Sequence, residues 1–373
     1  MNSRLTRCLL LLFVCALLGE LTVRVGGVAS GKTWALPPGR AADESPYQPH
    51  PFIGYTVKPS TRSGDGQQFV ATTNRLGFRG EEIAREKPER TFRIACLGGS
   101  TTWSTGASTD ARAWPAVLQR RLNAALPSDG PYDRVEVINA GVSGYTLMES
   151  FINLKMRVLP LDPDLVIVYH AVNDAQVIRR AGFQPDYSHV RRSWKDPEPP
   201  SGPDRLFSWS HLYGLFAAPD ERARRETINE RLTVDDYEQI PLRPARETAE
   251  GLETFRWTLR ETIALSRLHG AEVALASFAW ADNGLPPKDV EMVKTLKRIN
   301  AVIGDVAREQ ETALLDLHRE GPRQAGMFDD LVHFNDAGNR LAGLSVARSL
   351  LRSGLLGPGS TPPLATATAT ASR

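Results

Sequence analysis

The stretch Ile94-Ala-Cys-Leu-Gly-Gly-Ser100-Thr-Thr-Trp103 joins an apolar run to two glycines and a serine. Short apolar runs that end at glycine are typical of buried strands in a parallel sheet. In open sheets of this kind, ligands bind beyond the carboxyl ends of the strands. Ser100 is therefore expected at the ligand-binding edge of the sheet, where the first core strand turns into a helix.

Four more apolar runs follow this one, and segments of helical length separate them. The predicted strands are residues 92–97, 135–139, 165–170, 271–277 and 313–317. The predicted helices are residues 114–125, 146–159, 247–269, 290–309 and 337–352. This alternation predicts an α/β fold with a five-stranded parallel sheet that is covered by helices on both faces.

Other segments fall outside the alternating pattern. Residues 30–50 are rich in Pro, Gly and charge and are expected to form a linker, followed by a small β extension at residues 51–90. The main domain is predicted at residues 91–353. Within it, residues 179–245 interrupt the sheet, and a connection of that length is typical of a lid or a disordered insertion. Residues 354–373 are of low complexity and are expected to be a disordered tail.

The N-terminus carries a targeting pattern. Arg4 and Arg7 precede the uncharged residues 8–19 (CLLLLFVCALLG), a run with the length of a signal-peptide core. Small residues predict cleavage after Ala29, so residues 1–29 are expected to be a signal peptide. The alternative is an uncleaved inner-membrane anchor with its basic end in the cytoplasm. Both alternatives predict an exported protein on the periplasmic or extracellular face, with the membrane as a partner in the second.

Composition excludes several classes of function. The 373 residues are 41% hydrophobic and 24% charged, with a formal net charge of +2, as in ordinary globular domains. No basic stripe with interleaved aromatic residues is present, so nucleic acid is not an expected partner. Cys8 and Cys15 lie in the N-terminal apolar run and Cys96 in a predicted strand, so no disulfide is expected. The chain has no G-x-G-x-x-G or Walker loop for a nucleotide and no H-E-x-x-H for zinc.

A second chemical motif, Asp329-Asp330-Leu-Val-His333-Phe-Asn, lies near the other end of the chain. A serine hydroxyl is a poor nucleophile until a base accepts its proton. Asp330 is placed to orient the His333 imidazole and to stabilise its charged form. An isolated D-x-x-H is more often a loop histidine beside a helix-capping acid. His170, at the end of the third predicted strand, is expected to be structural.

Two further loops follow the second and third predicted strands: Val137-Ile-Asn-Ala-Gly141-Val-Ser-Gly144-Tyr-Thr and Val168-Tyr-His-Ala-Val-Asn173-Asp174. Carboxyl ends of parallel strands meet at one edge of a sheet, so both loops are expected beside Ser100. The Gly144 amide and the Asn173 side chain can donate hydrogen bonds to the oxyanion of a tetrahedral intermediate. Gly141 is a competing candidate for the oxyanion glycine.

These four loops, in this order along an α/β chain, resemble the SGNH or GDSL hydrolase family, over roughly residues 91–351. The resemblance implies a flavodoxin-like three-layer α/β/α sandwich that needs no metal or organic cofactor. It implies that Ser100 is the nucleophile, His333 the base and Asp330 the partner of His333. The Ser100 amide, the Gly144 amide and the Asn173 side chain would form the oxyanion hole.

Three more features bear on this resemblance. Asn74-Arg-Leu-Gly-Phe-Arg-Gly80 is similar to a segment of exported bacterial members. The usual Asp before the nucleophile is Gly99, a change that removes no catalytic group. The usual glycine two residues before the oxyanion asparagine is Ala171, so this loop is expected to pack differently. An α/β-hydrolase is disfavoured, since no G-x-S-x-G surrounds Ser100.

The resemblance leaves the reaction open. Water can resolve an acyl-enzyme, which gives an esterase that cleaves an acetyl or other short-chain ester of a carbohydrate or lipid. A sugar hydroxyl can resolve it instead, which gives an O-acyltransferase acting on a cell-surface polysaccharide; a catalytically silent glycan-binding protein is a third alternative. Hydrolysis is favoured, because no second membrane segment is found through which a cytoplasmic acyl donor could arrive. Trp103 and Tyr145 would suit a sugar if exposed, although core packing of Trp103 is equally compatible with the sequence.

Overall fold

The computed structural model describes residues 3–30, 46–63, 70–192, 202–207, 209–213, 237–282 and 289–356. The chain divides into a smaller unit, Met1–Pro46 with Trp194–Leu232, and a larger unit, Tyr47–Ser193 with Thr233–Arg373. Most of the predicted linker and nearly all of the predicted C-terminal tail lie outside the described residues.

Four short strands open the larger unit and form two antiparallel pairs. They are β1 (Tyr47–His50) with β2 (Gly54–Val57), and β3 (Arg62–Ser63) with β4 (Ala71–Thr72). The first strand starts at Tyr47, before the extension predicted from residue 51. Tyr47 is buried and packs edge-on against Tyr55 with 5.4 Å between ring centroids, a contact that fixes this end of the pair.

The core of the larger unit is a five-stranded parallel sheet, with spatial order β6-β5-β7-β8-β9. Its strands are β5 (Thr91–Gly98), β6 (Arg134–Asn139), β7 (Leu165–Tyr169), β8 (Glu272–Ala276) and β9 (Ala313–Leu315). Counted along the sheet this is the order 2-1-3-4-5, which is that of flavodoxin-like folds. Every residue of β5 and β7 is buried, as expected for strands covered on both faces.

The described α-helices are α1 (Ser3–Ser30), α2 (Ser100–Trp103), α3 (Trp114–Asn123), α4 (Leu147–Asn153), α5 (Val172–Ile178), α6 (Gly202–Phe207), α7 (Ala249–Leu268), α8 (Val290–Glu309), α9 (Leu317–Glu320) and α10 (Asp336–Ser353). Short 3-10 turns lie at Asp110–Arg112, Leu159–Leu161, Tyr237–Gln239, Ala245–Glu247 and Ala325–Met327.

Two helix layers cover the sheet. Helices α3 and α10 pack on each other and on the edge strands β6 and β9, whereas α7 packs on α4, α5, α8 and β8. The predicted three-layer α/β/α sandwich with a five-stranded parallel sheet is therefore confirmed. One predicted helix, residues 146–159, is broken: α4 continues as the π-helical turn Leu154–Val158, and a 3-10 turn follows. Pro160, within that last turn, has no amide hydrogen to continue the helix.

The predicted insertion, residues 179–245, is divided between the two units. Its two ends belong to the larger unit, where Arg180 pairs with Leu242 and the Arg243 amide donates to the Arg179 carbonyl at 2.6 Å. Its middle, including α6, belongs to the smaller unit together with α1.

Candidate active site

Ser100 directly follows β5 and is the first residue of α2. A Cβ on Gly98 would lie 1.9 Å from Thr102 Oγ1 and 2.8 Å from the Tyr169 carbonyl oxygen, so only glycine fits where the strand turns. Ser100 is partly exposed, whereas the rest of α2 is buried. The first amides of a helix have no acceptor within it, so the Ser100 amide is left for another partner.

The structure brings Ser100, His333 and Asp330 into one hydrogen-bonded chain. Ser100 Oγ lies 2.7 Å from His333 Nε2, and His333 Nδ1 lies 2.6 Å from Asp330 Oδ2. The other Asp330 oxygen accepts hydrogen bonds from the Val332 and His333 amides, each at 2.8 Å. With its Nδ1 proton held by the carboxylate, the imidazole presents Nε2 as an acceptor to the serine hydroxyl.

The electrostatics of this chain favour an ionised aspartate. Partial burial raises the pKa of Asp330, but hydrogen bonds from the His333 ring and from the His333 and Val332 amides outweigh burial and bring the pKa to about 2. The neighbouring Asp329 behaves differently, because burial and the Asp330 charge raise its pKa. Asp330 is therefore the carboxylate whose charged form the contact with His333 stabilises.

The loop after β6 presents the glycine expected beside Ser100. Gly144 has φ +84°, a left-handed conformation that favours glycine. Its amide donates no hydrogen bond to any group in the described part of the chain. The amide of the competing candidate, Gly141, already donates to Asn139 Oδ1 at 3.1 Å. Of the two glycines, Gly144 is thus the one whose amide is available to a ligand.

Asn173 approaches the nucleophile loop from the start of α5. Its Nδ2 donates to the Tyr145 carbonyl oxygen at 2.8 Å, and a Cβ on Gly99 would lie 2.6 Å from that same Nδ2. The glycine that stands where the family usually has Asp therefore lets the Asn173 amide lie against the loop that carries Ser100. Ala171 has φ −171°, outside the left-handed region that favours glycine, so its backbone conformation does not call for glycine.

Two residues that the sequence analysis did not single out hold the loop that follows β6. Arg191 Nη2 donates to the Gly144 carbonyl oxygen at 3.0 Å, and the Arg191 guanidinium pairs with Glu149 at 2.9 Å. The Tyr55 hydroxyl donates to the Ser143 carbonyl oxygen. Neither residue lies near this loop in sequence, and no local motif marks either of them.

Arg79 fixes the other end of α2. Its Nη1 donates to the carbonyl oxygens of Trp103 and Ser104, at 2.6 and 2.8 Å, and its Nε pairs with Asp110 at 2.8 Å. It belongs to the N-R-L-G-F-R-G segment noted in the sequence, which is a signal that could have pointed to it. Trp103 is only 6% exposed and Tyr145 is fully buried. Both rings are core residues, so they do not offer a surface to substrate.

A buried carboxylate, Asp174, lies beside the start of α4, where the loop that follows β6 ends. Asp174 accepts from the Leu147 amide at 3.0 Å, and one of its oxygens lies 3.7 Å from His170 Nδ1. Burial raises the pKa of Asp174 to about 7; the Leu147 hydrogen bond opposes this rise and the Glu149 charge adds to it. Burial also lowers the pKa of His170 to about 3, so His170 is neutral and bonds to Ser150 Oγ at 2.8 Å. The structural role predicted for His170 matches this geometry.

Asp174→Asn should make stability less sensitive to pH. The folded pKa of about 7 lies above the ordinary value of 3.8, so the folded state holds this proton more tightly than the unfolded chain. The resulting stabilisation is complete below about pH 4 and is lost as the pH rises through 7. At about 1.4 kcal/mol per pKa unit, the loss is on the order of a few kcal/mol.

Thermal unfolding of the native protein and of Asp174→Asn at pH 5 and pH 8 measures this effect. The melting temperature of the native protein should fall further from pH 5 to pH 8 than the melting temperature of the variant does. An equal loss in both proteins would show that Asp174 has no raised pKa.

No group of three or more His, Cys, Asp or Glu side chains that could hold a metal ion is found among the described residues. The groups assembled at the sheet edge are instead a serine, an imidazole and a carboxylate in line, with unengaged amides beside the serine. This set can perform nucleophilic attack on a carbonyl carbon and stabilise the oxyanion that results.

Similar chains occur among solved structures. A search among curated proteins finds no match. Among solved structures the chain is similar to the lipase/acylhydrolase from Enterococcus faecalis, with 18% identity over 70% of this chain and 96% of that one and a TM-score of 0.43. It is also similar to Axe2, an acetylxylan esterase from Geobacillus stearothermophilus, with 17% identity over 71% and 94% and a TM-score of 0.41.

The family of this chain is shown by a match to a family model rather than by the solved structures. The model of the GDSL-like lipase/acylhydrolase family matches residues 96–341, well over half of the chain. The matched region runs from β5 through the start of α10 and contains Ser100, Asp330 and His333. This chain therefore belongs to the GDSL-like lipase/acylhydrolase family and is an ester hydrolase.

Proposed function

We propose that this protein is a serine esterase that cleaves short-chain acyl esters of a polar alcohol, such as a carbohydrate, through an acyl-enzyme on Ser100. The observation that carries the proposal is the chain of contacts from Ser100 Oγ through His333 to Asp330, at 2.7 and 2.6 Å. A hydroxyl bonded to an imidazole whose other nitrogen faces an ionised carboxylate is an activated nucleophile.

In the first half of the reaction Ser100 Oγ attacks the ester carbonyl carbon while His333 Nε2 takes the hydroxyl proton. Asp330, whose pKa of about 2 keeps it charged, stabilises the imidazolium that forms. The tetrahedral intermediate then breaks its bond to the alcohol oxygen, and His333 gives that oxygen the proton. The alcohol leaves, and the acyl group remains on Ser100.

The oxyanion of the intermediate would be bound by three donors. The Ser100 amide lies at the start of α2 and the Gly144 amide is unengaged. The Asn173 side-chain amide carries two hydrogens, of which one goes to the Tyr145 carbonyl oxygen, so the other is free for the oxyanion. Arg191, which bonds to the Gly144 carbonyl oxygen, would act as a positioning residue for this loop.

Exposure of the reacting groups favours water over a sugar hydroxyl in the second half of the reaction. The His333 side chain is 25% exposed and that of Asp330 55%, so water can reach the acyl-enzyme and give its proton to His333 Nε2. A transferase must instead exclude water. An open site also suits a bulky, solvated alcohol and a short acyl group, because a long chain would gain about 0.8 kcal/mol per CH₂ only if it were buried.

We place this reaction outside the cytoplasm. Among the described residues, α1 is the one helix apolar and long enough to cross a membrane, with a mean hydropathy of 2.2 over Thr6–Gly26. Arg4 precedes this stretch and Arg7 lies at its start, and basic residues are retained on the cytoplasmic side. The residues that follow α1 would then be exported.

Two sets of substrates test the proposal. Esters of increasing acyl length measure the acyl preference. An acetylated oligosaccharide as donor, mixed with its unacetylated form as acceptor, separates hydrolysis from transfer. Released acetate should account for the acetyl ester consumed, and the rate should fall from acetyl to octanoyl esters. Ser100→Ala serves as the blank. Acetylated acceptor as the main product would show an acyltransferase instead, and fastest turnover of the octanoyl ester would contradict the short-chain preference.

A further inference from the structure

A single carboxylate interrupts the apolar face of α1. Glu20 is the only acidic residue among residues 1–30, and it lies within the stretch Thr6–Gly26 that is long and apolar enough to span a membrane. A charge inside a membrane span is costly, and such a residue is kept where it has a partner and a role. The question is therefore what Glu20 is paired with.

The Glu20 carboxylate accepts its hydrogen bonds mainly from a segment that lies about 190 residues later in the chain. It accepts hydrogen bonds from Ser210 Oγ at 2.8 Å, the His211 amide at 2.8 Å and the Leu212 amide at 2.9 Å. Arg24, one turn along α1, donates to Glu20 at 2.7 Å, and the Glu20 side chain is only 13% exposed. Three of the four donors thus come from the middle of the insertion between β7 and β8.

Two further contacts match α1 to the same segment. Arg24 Nη2 donates to the Trp209 carbonyl oxygen at 3.0 Å. A Cβ on Gly19 would lie 3.0 Å from Leu212 Cδ2, so glycine leaves room for the leucine against the helix. Side-chain charge, backbone amides and shape therefore agree on one docking position.

The segment that contacts α1, residues 202–207 and 209–213 (hereafter the docked segment), exposes large apolar side chains of its own. Leu206, Phe207 and Trp209 are all exposed, as are most of the leucines of α1. Water-exposed apolar side chains gathered in one unit mark a surface that meets lipid or protein. Tryptophan is enriched at the boundary between lipid and water, and these side chains share a unit with a helix that can cross a membrane. Lipid is therefore the partner that fits this surface.

We propose that α1 is retained as a membrane anchor, and that residues 202–207 and 209–213 dock on it through Glu20 and insert Leu206, Phe207 and Trp209 into the lipid. Removal of residues 1–29 as a signal peptide would take away Glu20 and leave the Ser210–Leu212 donors without their acceptor. At about 1.5 Å per residue, Glu20 lies about 21 Å from Thr6, in the outer part of a hydrocarbon core about 30 Å thick. The docked segment would therefore meet the non-cytoplasmic leaflet.

Cysteine cross-linking in isolated membranes tests the docking. Cys8 and Cys15 are first changed to Ser. The pair Gly19→Cys and Leu212→Cys is then introduced for cross-linking, and a protease site is added within residues 31–45 to separate α1 from the rest of the chain. After oxidation and proteolysis, the two fragments should stay joined until reductant is added. Gly26→Cys with Leu212→Cys is the matched control, because a Cβ on Gly26 would meet nothing within 4 Å, and its fragments should separate. Equal joining in both pairs would overturn the docking.

The same membranes decide whether α1 is kept. The intact mass of the purified protein should include residues 1–29, and Glu20→Leu should abolish the cross-link while leaving the protein in the membrane fraction. A mature protein that begins near Ser30 would overturn the proposal. None of these readouts depends on ester turnover, so they stand or fall separately from the reaction at Ser100.

Lipid contact is tested by fluorescence of the full protein in vesicles that contain brominated phosphatidylcholine. Replacing Trp209 by Phe should remove a measurable part of the quenching by these lipids. Trp257→Phe, which changes an exposed tryptophan on α7 of the larger unit, should leave the quenching unchanged. Quenching that is the same in the native protein and in Trp209→Phe would show that the docked segment does not enter the lipid.

Discussion

Ser100→Ala is expected to abolish ester turnover, with kcat lower by roughly 10⁶-fold, the scale seen when the nucleophile of a serine triad is removed. The physical reason is that no other hydroxyl is bonded to His333 Nε2 in the described part of the chain. The variant should stay folded, because the Ser100 side chain is partly exposed and takes no part in the core. Initial rates with an acetyl ester, together with thermal unfolding, measure both effects.

His333→Ala should be damaged to a similar degree, and the double variant should be little worse than either single one, because triad members act as a unit. Ser353→Ala, at the exposed end of α10, is the matched control and should keep native activity. Undiminished turnover by Ser100→Ala would remove Ser100 from the reaction.

Gly99→Ala should lower kcat by about 10²–10³-fold with a much smaller change in KM, the scale for loss of one oxyanion donor. The added Cβ would come within 2.6 Å of Asn173 Nδ2 and 3.1 Å of the Tyr145 carbonyl oxygen. It would therefore push the asparagine amide away from the oxyanion. Gly99→Asp, which restores the residue that the family usually has, should act in the same direction.

A double-mutant cycle checks this reason. Asn173→Ala should cost as much as Gly99→Ala, and the pair should cost little more, since both changes remove the same donor. Gly304→Ala on α8 is the control, because a Cβ there meets nothing within 4 Å and activity should not change. A Gly99→Ala enzyme with native kcat would show that the position of the Asn173 side chain does not depend on the absence of a Cβ at residue 99.

The sheet and the catalytic candidates could be predicted because each follows from local sequence. Continuous apolar runs mark strands that are buried on both faces, and glycine or a polar residue at the end of each run marks the reactive edge of the sheet. Ser100, Gly144 and Asn173 each follow a different strand, and strand order alone brings them together. Asp330 and His333 are close in sequence, so their contact needed no knowledge of the fold.

The supports of the site could not be predicted in this way. Arg191 reaches Gly144 across 47 residues and Tyr55 reaches Ser143 across 88, and neither pair leaves a periodic or local pattern. The burial of Trp103 was equally hidden, because an aromatic residue next to a nucleophile has the same sequence whether it faces substrate or the core. Glu20 was visible as a charge in an apolar run, but its acceptor role depends on a segment about 190 residues away.

The most direct measurement is to trap the acyl-enzyme itself. The native protein is mixed with an excess of acetyl ester, quenched in acid within the first turnovers, digested and examined by mass spectrometry. The peptide that contains Ser100 should gain the mass of one acetyl group, and the same peptide from His333→Ala should gain none. An unmodified Ser100 peptide during active turnover, or acetyl on another side chain, would contradict the mechanism.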